Sequence, residues 1–261
     1  KAMRSLGFLA LGFCAALNAQ PQDTIHHQLT VLLDPATSRI EVTDTVTLPA
    51  SLGRDDIAFA LNANLTIDNS PRDLQRIGVE PLQVSQGINE TGGLAAQRAN
   101  YTVDLARRSQ ILELSYTGTL FDPTQQSGAQ YSQSFAETSG LIDPRGVYLN
   151  RGSAWIPEFG DALVTFELSV TFAESAAAWS SLSQGERLAP NVWRSDQPME
   201  EIYLIAAAFT EYSAVYTSVL DATDNARSVD VLALLRSPDA NLAATYLDAT
   251  QRYLSLYEPL L

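Results

Sequence analysis

The sequence predicts an all-β fold, an antiparallel sandwich closed by a single amphipathic helix. Two observations carry this reading. Apolar residues alternate with polar ones over at least eight separate stretches, the period of strands with one buried face. Near the end the period switches to three and four residues, the mark of a helix. Taking the strands in order, Leu29, Val31 and Leu33 share one face from His27 onward. The cluster Asp34-Pro35-Ala36-Thr37-Ser38 is a turn, and Ile40, Val42, Val46 and Leu48 return on a second strand, which makes a hairpin. Further strands are expected at Ile57/Phe59/Leu61, Tyr101/Val103/Leu105, Leu112/Leu114/Tyr116 and Val164/Phe166/Leu168/Val170/Phe172. Ile202/Leu204/Ala206 and Val229/Val231/Ala233/Leu235 extend the pattern. Residues 83–100 and 121–147, rich in Gly, Gln, Ser and Asn, read as long surface loops.

The helix is expected to start at Ser237 as cap, with Pro238 at the first helical position. Leu242, Tyr246, Ala249, Tyr253 and Tyr257 define its apolar face, and Pro259 ends it. Such a face after a β domain has nothing obvious to bury against, so it reads as the first element of a second domain beyond Leu261.

The length of 261 residues and a 46% hydrophobic composition allow one large β domain or two average ones, with enough apolar residues for a core. Asp and Glu number 30 against 16 Lys and Arg, a formal charge of −14, which argues against nucleic-acid binding. Lys1 is the only lysine, so neither a phosphate-loop lysine nor Schiff-base chemistry is available downstream of it.

Lys1 and Arg4, the apolar run Leu6 to Leu17 and the small-residue step Leu17-Asn18-Ala19 make residues 1–19 an expected signal peptide. The run falls short of the roughly 20 residues that span a bilayer. Export to the periplasm or the exterior follows, with Met3 the candidate start. Cys14, the single cysteine, leaves with the signal, and so do two basic residues, giving 14 − 30 = −16. The mature chain would use neither disulfides nor thiol chemistry.

No complete active site is legible. His26 and His27 are the only histidines; adjacent on a strand, they point to opposite faces and cannot chelate one ion, and both are expected to be partly exposed. Asp55, Asp56, Glu137, Asp143, Glu158 and Asp161 are plentiful carboxylates without a spacing that selects a pair, and surface or turn positions suit each. Asp221-x-x-Asp224-Asn225 lacks the glycine and alternating ligands of a calcium loop and reads as a solvated turn. Tyr148, Trp155, Trp179 and Trp193 suit either an aromatic binding platform or, more simply, the core.

From Tyr148 onward the order of features resembles the zinc aminopeptidases of the aminopeptidase N and leukotriene hydrolase type. The resemblance rests on Trp155-Ile156-Pro157, Phe166-Glu167-Leu168-Ser169-Val170, Trp179, Gly185-Glu186 and Trp193-Arg194-Ser195. It is carried furthest by Pro198-Met199-Glu200-Glu201-Ile202-Tyr203-Leu204-Ile205-Ala206-Ala207-Ala208-Phe209, similar to that family's P-x-x-E-I-x-L-x-A-x-x-F strand. Tyr246 to Leu261 resembles the helix that opens the family's catalytic domain.

The resemblance implies a saddle-like N-terminal β domain over residues 20–236, and the start of a thermolysin-like catalytic domain over 237–261. It also implies that the zinc site, a His-Glu-x-x-His helix with a later glutamate, lies beyond this sequence, so that no cofactor binds here. The family's N-terminal domain helps to bind the substrate's free α-amino group through a Gln or Glu just before the aromatic-Pro step. Asn150, with Arg151 beside it, stands at that place, and the family's Gln-x-Glu pattern is not reproduced. The implied partners are a peptide amino terminus and, intramolecularly, the catalytic domain. A self-contained, non-enzymatic β-sandwich binding or adhesion module is the alternative, using residues 121–147 and the tryptophans for recognition.

Overall fold

Alternation fixes the first hairpin. In the computed structural model, β1 (Thr24–Asp34) buries Ile25, His27, Leu29, Val31 and Leu33, and β2 (Arg39–Thr47) buries Ile40, Val42, Asp44 and Val46. The turn between them closes on Asp34, whose carboxylate accepts from the Ala36 main-chain N–H at 3.1 Å and the Thr37 hydroxyl at 2.7 Å. The structure describes residues 24–52, 57–71, 73–81, 97–105, 110–123, 138–218 and 228–260. The expected signal segment 1–19 lies outside them, as do Asp55, Asp56, Glu137, the 221–225 turn and most of the two expected loops.

Strands continue as β3 (Ile57–Asn62), β4 (Leu65–Asn69), β5 (Gln75–Pro81), β6 (Gln97–Val103), β7 (Ile111–Thr119), β8 (Leu141–Asp143) and β9 (Gly146–Leu149). They are followed by β10 (Leu163–Phe172), β11 (Ser180–Leu182), β12 (Glu186–Ala189), β13 (Val192–Met199), β14 (Leu204–Ala207), β15 (Thr210–Thr217) and β16 (Ser228–Leu235). The helix α1 covers Ala240–Tyr257. The described ends of the two expected loops are thus strands: β6 starts at Gln97, and β8 and β9 occupy 141–149.

A seven-stranded sheet, in the order β12-β13-β10-β1-β2-β7-β4, forms one layer. A four-stranded sheet, β11-β14-β9-β8, and a three-stranded sheet, β3-β6-β5, share one apolar cluster with its inner face. Phe166 and Leu168 of the large sheet, Phe59 and Leu61 of the three-stranded one, and Leu149 and Leu204 of the four-stranded one all belong to it. Pairing is antiparallel throughout except at β1 and β10, which run parallel from Thr24↔Leu163 to Leu33↔Phe172. Trp155 and Trp193 are core residues, 1% and 5% exposed, and Trp179 packs partly buried against Phe172, so the tryptophans form no surface platform. Gly185 holds a left-handed turn at φ +81°, where a Cβ would overlap the Arg194 carbonyl. That requirement explains the Gly-Glu step before β12.

Further expectations are corrected. His27 is fully buried rather than partly exposed, because its Nδ1 lies 2.8 Å from Asp44 Oδ2, also fully buried on the neighbouring strand. His26, on the other face, lies 3.0 Å from the Thr165 hydroxyl. The helix is capped by Asp239, not Ser237: the Asp239 carboxylate accepts the Leu242 N–H at 2.9 Å, and Pro238 precedes the cap.

The helix also does not lack a partner. It packs on the β15–β16 hairpin and buries Ala243, the small side chain that allows close approach. The Tyr216 hydroxyl donates to Glu258 Oε2 at 2.8 Å and ties the helix end down. The tyrosine stripe faces outward instead, with Leu242, Tyr246, Tyr253 and Tyr257 between 41% and 61% exposed.

The buried histidine–carboxylate pair gives a stability prediction. Nε2 of His27 and Oδ1 of Asp44 have no hydrogen-bond partner among the described residues, so the pair is only half satisfied. Asp44→Ala, which strands the imidazole, is expected to cost about 3–5 kcal/mol in urea unfolding. The double replacement His27→Leu/Asp44→Leu should recover most of that loss, since it removes both polar groups together.

Candidate functional site

The strand β9 ends at Leu149, and the chain turns through a single 3-10 turn, Arg151–Ser153, before the Trp155-Ile156-Pro157 step. Asn150 opens the turn with extended backbone. Its N–H donates to Ser153 Oγ at 3.2 Å, and that hydroxyl donates back to the Asn150 carbonyl at 2.6 Å. The Asn150 side-chain amide reaches the Tyr148 hydroxyl at 3.4 Å. Ala154 then takes a left-handed conformation, φ 45°, which drives the Trp155 ring into the core, where its Nε1–H donates to the Ile202 carbonyl at 3.1 Å.

The turn is held from two other segments. Asn62 of β3 donates its side-chain amide to the Ser153 carbonyl and its main-chain N–H to the Ala154 carbonyl, both at 2.8 Å. The Glu158 and Ala60 main chains exchange two hydrogen bonds of 2.9 Å. Glu201, just before β14, accepts the Arg151 N–H at 2.9 Å. An open cleft of about 360 Å³ lies alongside, lined by Phe59, Arg98, Tyr101, Arg151, Glu158 and Asp161 among others.

Charge in the cleft alternates. Arg151 donates to the Gly160 carbonyl at 3.2 Å and lies 3.7 Å from Asp161. Arg98 pairs with Glu80 at 2.6 Å and stands 4.0 Å from Glu158. Burial pushes the Glu158 carboxyl above its ordinary value; Arg151 and Arg98 pull it down, and Glu201 adds to the rise. The hydrogen bond to Glu201 is the main reason that the Tyr203 hydroxyl is pushed up to about 12, with burial and the Glu201 charge adding. A carboxyl whose proton affinity is raised at a cleft is a common companion of ligand binding.

Of the two residues singled out for substrate binding, Arg151 is exposed and lines this cleft, while Asn150, next to it and half-buried, lines a smaller adjoining pocket with Trp155, Pro157 and Glu201. Glu158 and Asp161 join them. Asp143 does not: it sits in the β8–β9 turn, chelated by Arg145 with contacts of 2.8–3.2 Å. Glu201, Tyr203 and Arg98 were not singled out in the sequence. Only the Pro198–Glu201 step before a strand hinted at Glu201. Among the described residues no group of three or more His, Cys, Asp or Glu side chains gathers as metal ligands, and the two histidines point to opposite faces. No helix among them is long and apolar enough to cross a membrane.

Several solved structures are similar to this one. An aminopeptidase N family protein from Idiomarina loihiensis aligns at 12% identity with a TM-score of 0.46, over 90% of this chain and 37% of that one. A zinc metallopeptidase from Deinococcus radiodurans aligns at 17% identity and 0.46, over 85% and 51%. Yeast LTA4 hydrolase in complex with bestatin aligns at 13% and 0.40, over 72% and 29%. The chain thus spans between about a third and a half of the length of these proteins. No protein-family model and no curated protein matches it. The neighbours are zinc aminopeptidases and LTA4 hydrolase, and at these values the likeness says nothing of activity.

The raised Glu158 carboxyl fixes a sign for pH dependence. The folded chain holds this proton more tightly than the unfolded one, so the stabilisation is full below the ordinary value of 4.5 and is lost as pH rises through the elevated one. Glu158→Gln keeps the shape without the buried charge. It is expected to melt about 2 °C above the wild type at pH 7, with the difference closing toward pH 4 in thermal scans.

Proposed function

We propose that this chain is the N-terminal substrate-cleft domain of an exported zinc aminopeptidase that removes amino-terminal residues from peptides, the zinc site lying outside this sequence. One observation carries the reading. Trp155-Ile156-Pro157 and the Glu200–Ile202 part of Pro198 to Phe209, the segments that resemble the family, line one small pocket together with Asn150 and Arg151, although some 50 residues separate Arg151 from Glu201. A resemblance made of unrelated surface fragments would have no reason to meet there.

In this reading the chain's residues bind and orient rather than react. Asn150 turns its amide nitrogen to the Tyr148 hydroxyl, and its Oδ1, buried without a partner among the described residues, is the neutral acceptor for one N–H of a peptide's ammonium group once the turn opens to it. Arg151 supplies donors for a peptide carbonyl, and the carboxylates of Glu158 and Asp161 balance its charge. The sandwich walls one side of the cleft, and the outward tyrosine stripe of α1 docks on the catalytic domain. In the whole enzyme zinc activates water for amide hydrolysis; none of the described residues here forms a set of donors that would hold it. Residues 1–19 direct export to the periplasm or the exterior.

The test is an assay of the full gene product, with its reading frame as found in the genome, for release of amino-terminal residues from aminoacyl-p-nitroanilides. Hydrolysis that a chelator abolishes and zinc restores is expected. Asn150→Ala should raise KM by about three- to tenfold with kcat within about twofold, the pattern of lost ground-state binding. A well-folded, zinc-replete product without hydrolysis would remove the enzyme reading and leave a binding module.

A further inference from the structure

The turn that carries Asn150 and Arg151 is gripped by a side chain from a segment 50 residues away. Glu201 Oε2 accepts the Arg151 main-chain N–H at 2.9 Å. That N–H opens a 3-10 turn, where no partner within the turn is available. The same carboxylate accepts the Tyr203 hydroxyl. Hydrogen bonds to an ionised carboxylate are stronger than those to a neutral acceptor.

Glu201 is itself held from a third segment. Gln184, in the turn after β11, uses both ends of its amide: Nε2 donates to the Glu201 carbonyl at 3.2 Å, and Oε1 accepts the Tyr203 N–H at 2.8 Å. Ser183 Oγ donates to the Tyr203 carbonyl at 2.7 Å. The main chain on either side of Ile202 is therefore pinned, and the Trp155 indole takes the Ile202 carbonyl from the other direction.

We propose that Glu201 is a positioning residue, which fixes the Asn150–Arg151 turn at the cleft edge and acts on a bound peptide only through that turn. What the turn presents its side chains to rests on the reading under Proposed function; the clamp itself does not. Neither Glu201 nor Gln184 needs to touch a ligand for this role. Loss of the carboxylate frees the Arg151 N–H and the Tyr203 hydroxyl together and lets the turn move away from β14.

Both parts are measurable. In the 261-residue chain, Glu201→Ala is expected to speed amide exchange at Arg151 by about tenfold. It should also bring the Tyr203 hydroxyl, followed by ultraviolet titration, from about 12 down toward its ordinary 10. Glu201→Gln, which keeps an acceptor oxygen without the charge, should preserve exchange protection at Arg151 while still lowering the Tyr203 midpoint. Gln184→Ala should produce a weaker form of the alanine phenotype.

In the full gene product, Glu201→Ala should raise KM as Asn150→Ala does and leave kcat within about twofold, with Glu201→Gln restoring KM. Unchanged exchange at Arg151 and an unchanged Tyr203 midpoint in both Glu201 variants would overturn the clamp. A loosened turn with unchanged KM would overturn its positioning role. A wild-type product without hydrolysis would instead remove the enzyme reading, with the exchange and titration data still deciding the clamp.

Discussion

Three sheets meet at Trp155, and the rest of the molecule is arranged around that corner. The residue before it adopts a left-handed backbone, the ring is buried to 1%, and its indole nitrogen is bonded to Ile202 ahead of β14. The preceding carbonyl takes a hydrogen bond from Asn62 of β3, and the Glu158 main chain pairs with Ala60 on the same strand. The three-stranded and four-stranded sheets are thus joined through one short segment while both cover the large sheet. A left-handed conformation at a non-glycine residue costs roughly 1–3 kcal/mol and persists only where its surroundings hold it. Here the surroundings are these hydrogen bonds and the buried ring.

That corner also explains why an acidic chain keeps two arginines in its cleft. Arg98 and Arg151 approach from different sheets, and Glu80, Glu158, Asp161 and Glu201 lie around them. Exposed pairs of this kind contribute little to stability. Their effect is to keep the local field near balance in a molecule whose formal charge is −14. The opening thus carries both signs of charge side by side.

Strands were legible where a long alternation buries one face and leaves the other wet. β1, β2, β7 and β10 follow the alternation read from Leu29 to Phe172, because each lies inside the large sheet. β5 and β12 escaped because they are exposed on both faces and carry no alternation. Alternation names a buried face but not the neighbouring strand, so the parallel pairing of β1 with β10 was out of reach. The burial of His27 depends on Asp44 across a strand boundary, which no local pattern announces. On the helix, the tyrosines marked a stripe, yet the hairpin took the adjacent one, where Ala243 allows contact. At the site, Asn150 and Arg151 were found by their place before an aromatic-Pro step. Glu201 was not, because its role consists of contacts with distant segments.

The parallel pair at the centre of the large sheet has a consequence for how the chain reaches this state. β1 finds β2 at once through a four-residue turn, but its other edge waits for residues about 139 positions later, the separation of His26 and Thr165. Closing so long a loop carries an entropic cost that local pairing does not repay, and topologies of this kind assemble slowly. In the meantime the apolar face and one open edge of the hairpin are available to other chains. The exposed side of β1 alternates Gln28, Thr30 and Leu32, which offers no lysine or proline to block such pairing. The middle of the sheet is thus the last of it to be completed, and concentration and time after synthesis weigh on this protein more than its final packing suggests.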